Sequence, residues 1–311
     1  MKKEEIKMLE ICLLGTGGMI PLHHRYLTAM LARHNGRMLL IDCGEGTQVS
    51  MRELGWGFVH LDILLITHFH ADHIAGLPGL LLSLSNYGKT EVLTIVGPKG
   101  IQQITESLLV IAPQLLFPIE FIELSSNEST ESLHLAGFDI AVLPLMHKMP
   151  CFGYQISIPR QGKFNVARAK EQNIPMKYWS RLQNGETIET CDCIMTPQMV
   201  LGPKRKGLKV SYITDTRPID TIPAFVFESD LFICEGLYGD EQFKEKADRF
   251  CHMIFSDAAK LAQVGKVKEL WLTHYSQAFN NPEDYLFATR KIFENTHTGF
   301  DRMTKTLLFE E

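Results

Sequence analysis

The 311-residue sequence has no apolar run approaching roughly 20 residues, so it offers no helix to span a membrane. Residues 1–10 are charged and lack the apolar core of a secretory signal. Both absences point to a cytoplasmic protein. Cysteine is sparse and odd in number, seven in all, which does not suggest a disulfide framework. Cys191 and Cys193 form a lone C-x-C with no second Cys or His pair at zinc spacing, and read as ordinary reduced thiols. The third glycine of a dinucleotide loop is missing too. Gly15-x-Gly17-Gly18 follows an apolar strand, but position 20 is Ile20, so the run reads as a tight turn. No internal repeat or low-complexity tract is present.

Basic charge is also scarce. A net charge of -5 argues against a general nucleic-acid binder. Its distribution says something else. Residues 160–210 hold ten Lys or Arg against four Asp or Glu, a net of +6, which leaves -11 for the rest of the chain. A basic segment inside an acidic protein is either a local anion-binding surface or a solvated loop.

What the sequence does contain is enough apolar material, 45% of residues, to bury a large core. It reads as alternating strands and helices, hence α/β. Strands are expected at 8–14, 37–42, 61–67, 92–96, 138–145, 151–158, 208–214, 231–234 and 269–273. Helices are expected at 74–84, 99–106, 257–264 and 282–293. Polar clusters meet the strand ends at Asp42, Thr67, Leu145, Thr214 and Thr273, where sites gather in layered α/β folds. Residues 159–203 break the rhythm and read as an excursion from the core, an arm or long hairpin. Phe117, Phe121 and the many Met residues read as core filling. His23 and His24 read as loop residues, with a phosphate contact beside Arg25 as the alternative. His60, His134 and His297 have no ligand partners at useful spacing.

The central signal is Thr67-His68-Phe69-His70-Ala71-Asp72-His73. A strand run sends His68, His70 and Asp72 to one side with period two, and a turn brings His73 to the same space. Neutral imidazoles and a carboxylate are good ligands for Zn²⁺ or Mn²⁺.

H-x-H-x-D-H resembles the signature of the metallo-β-lactamase fold at every defining position. The resemblance implies a four-layer αβ/βα sandwich with two metals between its sheets and further ligands at later strand ends. His147, Asp215 and His274 stand at such ends. By the family pattern His68, His70 and His147 hold one metal, Asp72, His73 and His274 the other, and Asp215 bridges them. Zn²⁺ comes first, with Mn²⁺ or Fe²⁺ as alternatives. Asp72 is the implied residue to orient or deprotonate the attacking water.

More specific stretches span nearly the whole chain in order. Leu14–Gly18, Asp42-Cys43-Gly44-Glu45-Gly46-Thr47-Gln48, Gly76–Leu80, Gly97–Gly100, Gly153-Tyr154, Leu201–Pro203, Asp215-Thr216-Arg217-Pro218 and Leu272–Gln277 are similar to ribonuclease Z. That resemblance implies an endoribonuclease that removes the 3′ trailer from precursor tRNA, and a homodimer. It implies one domain over 1–311 with a tRNA-gripping arm at 160–200, where Lys163, Arg168, Lys170, Lys177 and Arg181 would pair with phosphates. His252 and Glu235 match a family dyad that protonates the leaving 3′ oxygen. Cys234-Glu235-Gly236-Leu237 stands where the family has His-Glu-Ala-Thr, and the arm has no Gly-Pro pair near its tip. The alternative reading is a hydrolase of another substrate class on the same core, such as a small-molecule phosphodiesterase, an arylsulfatase-like enzyme or a lactonase.

Overall fold

The structure, a computed structural model, describes residues 8–112, 114–125, 131–191, 193–279 and 281–310. Strands are numbered along the chain. The first six are Met8–Gly15 (β1), Ala29–His34 (β2), Arg37–Ile41 (β3), Leu61–Leu65 (β4), Leu93–Pro98 (β5) and Ile119–Leu124 (β6). Next come Glu131–Leu135 (β7), Phe138–Leu145 (β8), Cys151–Arg160 (β9), Ile188–Glu189 (β10) and Ile194–Met195 (β11). The last are Arg205–Ile213 (β12), Leu231–Glu235 (β13), Leu270–Thr273 (β14), Thr296–Thr298 (β15) and Met303–Leu308 (β16).

Two seven-stranded sheets result, ordered β16-β1-β2-β3-β4-β5-β6 and β15-β14-β13-β12-β9-β8-β7. In the first, β16, β1, β2 and β3 pair antiparallel, and β3 to β6 run parallel. In the second, β12 to β15 are parallel and β7 to β9 antiparallel. Parallel strands need both faces covered, and β4, β13 and β14 are buried at every position. Helices Thr47–Leu54 and Leu77–Asn86 cover the first sheet's outer face through Met51, Leu77, Leu80, Leu81 and Leu84. Helix Phe255–Val264 covers the second through Phe255, Ala258, Ala259 and Ala262. The inner faces meet through polar as well as apolar contacts. Tyr154 Oη donates to Ile66 O (2.7 Å), Phe152 N to Thr67 O (3.0 Å), and the Thr28 and Tyr212 hydroxyls pair at 2.9 Å. This is the αβ/βα sandwich that the histidine motif implied.

Some expected elements differ. The helix expected at 74–84 is two, Ala71–Ile74 and Leu77–Asn86. Gly76 separates them: its N–H donates to Cys43 O (2.9 Å), and a Cβ there would lie 2.1 Å from Gly44 O. That close approach docks the histidine loop on the loop after β3. The segment expected as a helix at 282–293 is a 3₁₀ turn, Pro282–Tyr285, followed by helix Leu286–Arg290.

Residues 158–208, with Phe309 and Glu310, form a second compact unit. Helices Val166–Glu171 and Trp179–Gln183 and the β10–β11 pair enclose a small core of Ala169, Ile174, Leu182, Ile188, Met195, Val200 and Leu201. Trp179 packs on Phe164 and donates its indole N–H to Ile174 O (2.9 Å). The polar composition hid this core because only a few apolar residues build it.

Candidate metal centre

Several loops that follow strands carry the centre, and the backbone is unusual there. Asp42 (φ 60°), Asp215 (φ 47°) and His274 (φ 60°) all adopt the left-handed region. Each lies one or two residues past a strand, so the turn swings its side chain inward. Non-glycine residues in that region are uncommon and cluster at functional sites.

Two groups of side chains converge. Around His68, the Nε2 atom lies 2.9 Å from His70 Nδ1 and 3.5 Å from Asp215 Oδ2, and His147 Nε2 lies 3.3 Å from His70 Nδ1. Around His274, the Nε2 atom lies 3.2 Å from His73 Nε2 and 3.3 Å from both Asp72 Oδ2 and Asp215 Oδ1. Asp215 therefore presents one oxygen to each group. Bond lengths of about 2.0–2.1 Å in tetrahedral geometry would space ligand atoms roughly 3.3 Å apart. These residues fit divalent metal ions.

The outer ring nitrogens explain which inner ones are free. His73 Nδ1–H donates to Asp42 Oδ2 (2.8 Å), and Asp42 also accepts from Thr67 N (2.8 Å) and Thr67 Oγ1 (3.0 Å). His68 Nδ1–H donates to Thr67 Oγ1 (3.0 Å), and His147 Nδ1–H donates to Cys251 O (3.4 Å). Each bond turns an Nε2 lone pair inward. Converging lone pairs repel one another unless a cation or proton lies between them. Met19 N donates to Asp72 Oδ2 (2.7 Å), and a Cβ at Gly18 would come 2.9 Å from His274 Cε1, so the glycine turn cradles that ring.

Charge and burial agree. Burial pushes His147 down to about 4, with His252 and His70 adding to it against Asp215. Burial likewise lowers His68 and His70. Neutral imidazole is the ligand form. Burial opposes ionisation of Asp215, but the His274, His73 and His68 charges outweigh it and hold the carboxyl well below its usual range. Burial also opposes Asp72, where the His274 hydrogen bond and the His73 charge prevail. For His73, burial is outweighed by Asp215 and Asp42, which raise it. The same carboxylate field attracts a cation.

His252 stands beside the centre, its ring 5.5 Å from that of His147 and 5.7 Å from that of His274. Its Nδ1–H donates to Glu235 Oε2 (3.0 Å), and the buried Glu235 accepts Thr216 N–H on Oε1 (2.7 Å). Burial pulls His252 down, yet the Glu235 charge and hydrogen bond, with Asp215, lift it to about 9. All eight of these site residues from the sequence, with Glu235, are thus gathered at one place. A cleft beside them is lined also by Met19, Lys148, Tyr238, Lys246, Phe250 and Gln277.

The sequence reading placed Asp42 and Thr67 at strand ends where sites gather and Gly18 in a tight turn, but gave none of them a partner in the centre. Asp42 was visible as a carboxylate ending a strand, but its partner His73 lies 31 residues away. The remaining histidines stay out. His23 and His24 pair with each other on the surface, His34 is held by Met8 O and Asn35, His60 is exposed, His134 meets Asp139 and His297 meets Asn295. Arg25 is taken up by Phe279 O and the Tyr275 ring. In the second unit Lys163, Arg168, Lys170 and Lys177 are exposed, whereas Arg181 is ion-paired with Glu186. No helix among the described residues is long and apolar enough to cross a membrane.

A family model described as Anti-Pycsar protein Apyc1 matches residues 9–158, just under half of the chain. Human tRNase Z, short form, superposes with a TM-score of 0.68 at 22% identity, covering 95% of this chain and 98% of that one. The metallo-beta-lactamase fold protein YhfI from Bacillus subtilis gives 0.69 at 17% identity, covering 97% and 100%. These two establish the metallo-β-lactamase fold. Ribonuclease Z of Clostridium acetobutylicum is 49% identical over 307 residues, covering 97% of this chain and 99% of its own. Ribonuclease Z of Lachnospira eligens is 49% identical over 304 residues, covering 98% and 99%. At that identity over nearly the full length, the chain belongs to the ribonuclease Z family and is a hydrolytic endoribonuclease.

Proposed function

We propose that the protein removes the 3′ trailer of precursor tRNA by hydrolysing the phosphodiester after the discriminator nucleotide, using two divalent metals, with Zn²⁺ first. The observation that carries this is the paired convergence of ligand atoms on either side of Asp215, in a chain of this family. His68, His70 and His147 would hold one ion and Asp72, His73 and His274 the other, with Asp215 offering one oxygen to each group. Two such ions supply Lewis-acid chemistry: they lower the pKa of water and offset charge developing on a phosphoryl group.

The chain's own residues do the rest. Asp72, anchored by Met19 N–H, orients the attacking water and accepts its proton. Glu235 holds His252 Nδ1–H and favours the charged ring, so Nε2–H is the proton available to the leaving 3′ oxygen. The basic residues of the second unit pair with tRNA phosphates, Lys163, Arg168, Lys170 and Lys177 ahead of the already paired Arg181. The working form is a homodimer in the cytoplasm.

The test is cleavage of a 3′-extended precursor tRNA by purified protein with Zn²⁺ or Mn²⁺, beside a His68→Ala variant. A single cut after the discriminator base, absent in the variant, is expected. No cut on tRNA, with His68-dependent hydrolysis of bis(p-nitrophenyl) phosphate, would move the assignment to a small phosphodiester substrate.

A further inference from the structure

We propose that Phe250 and Lys148 form a nucleobase subsite at the mouth of the metal centre, taking the base of the nucleotide whose 3′ oxygen leaves. This rests on the tRNA reading above. Helix Lys244–Phe250 ends at Cys251, whose φ of 62° reverses the chain, and His252 N then bonds back to Ala247 O (2.9 Å). The reversal brings Phe250 and His252 to the same cleft, although they are two residues apart. The Cys251 carbonyl between them accepts from His147, which ties this turn to the metal ligands.

Phe250 is 39% exposed and ends a helix rich in charge. It is not needed for the core that this helix buries through Ala247. Lys148 follows the ligand His147 and places Nζ 4.5 Å from the Phe250 ring centroid, and Arg249 approaches the same ring at 5.7 Å. A ring capped by flexible cations suits a nucleotide. An exposed cation–ring contact is weaker than base–ring stacking. An arriving base therefore displaces the Lys148 ammonium from the ring, and the freed ammonium meets the adjoining phosphate.

The side of the scissile bond follows from His252. It protonates the departing 3′ oxygen, so residues beside it face the nucleoside that carries that oxygen. Tyr238, the other aromatic residue of the cleft, is buried, stacks on Phe243 and is covered by Lys246, which leaves it no free face.

The experiment crosses the metal-loaded protein, F250A and F250Y with a precursor tRNA that is intact or abasic at the discriminator position. F250A is expected to raise KM on the order of tenfold on the intact substrate, with F250Y restoring it. The abasic substrate should already show that loss with the unaltered protein, and F250A should add nothing to it. Equal loss from F250A on both substrates, or no loss on either, would overturn the subsite. A parallel binding arm uses RNA with 2-aminopurine at the same position. Quenching that F250A abolishes supports the subsite even where the unaltered protein fails to cut, an outcome that would sink the tRNA reading alone. Quenching unaffected by F250A would overturn the subsite whatever the cleavage result.

Discussion

Asp42 lies behind His73, away from the cleft, and its two oxygens are fully used by His73 and Thr67. An amide at this place would keep the shape but turn an N–H toward one of those donors. Asp42→Asn is expected to cut zinc affinity about 10- to 100-fold, as loss of a ligand's outer partner does elsewhere. Competition against a chromophoric chelator reads this directly, and unchanged affinity would show that the carboxylate is a packing feature only. Glu235 acts on His252 in a different way. Activity that needs protonated His252 is lost as pH rises through its pKa, which Glu235 raises toward about 9. Glu235→Gln should therefore move the alkaline limb of the kcat/KM profile to lower pH, and a limb that stays in place would separate His252 from the proton transfer. Residues such as His68 and His274 were legible in the sequence because strand-end position and ligand chemistry coincide. Asp42 was not, because its role depends on two loops meeting, which no local pattern records.

Among elements, legibility followed burial. β8 has the bounds its alternation predicts, and β4 and β14 were plain as short apolar runs. β2 went unassigned because Ala29–His34 is buried at five of six positions and has no period-two pattern. β7 went unassigned for the opposite reason, an edge strand whose sides are at most half-buried. The second unit shows how few residues a small core needs, since one tryptophan and seven buried side chains organise a 51-residue segment. Its exposed cations make a prediction at this scale. Replacing Lys163, Arg168, Lys170 and Lys177 with Ala should weaken precursor binding and flatten the plot of log affinity against log salt by just under one unit of slope per lost contact. Hydrolysis of bis(p-nitrophenyl) phosphate should persist. An unchanged salt slope would remove the unit from the RNA-binding surface.

For the whole molecule, the centre joins the two sheets. Loops of the first supply His68, His70, Asp72 and His73, and loops of the second supply His147, Asp215 and His274. Whatever fills the centre therefore binds the folded state more tightly than the unfolded chain, which keeps only the local His68–His73 cluster. At a free metal concentration 100 times Kd that stabilises by roughly 2.7 kcal/mol. Chelation should then lower Tm by about 4 °C, measured by calorimetry with and without added Zn²⁺. A metal-independent Tm would argue that the loops are held by protein contacts alone.

The spread of those ligands along the chain, from His68 to His274, also sets a clock. A ribosome releases the first four long before Asp215, and His274 emerges 59 residues later still. Until His274 emerges, the nascent polypeptide holds only part of the residue set that converges in the folded protein. The order of synthesis thus ties completion of the centre to the arrival of the second sheet.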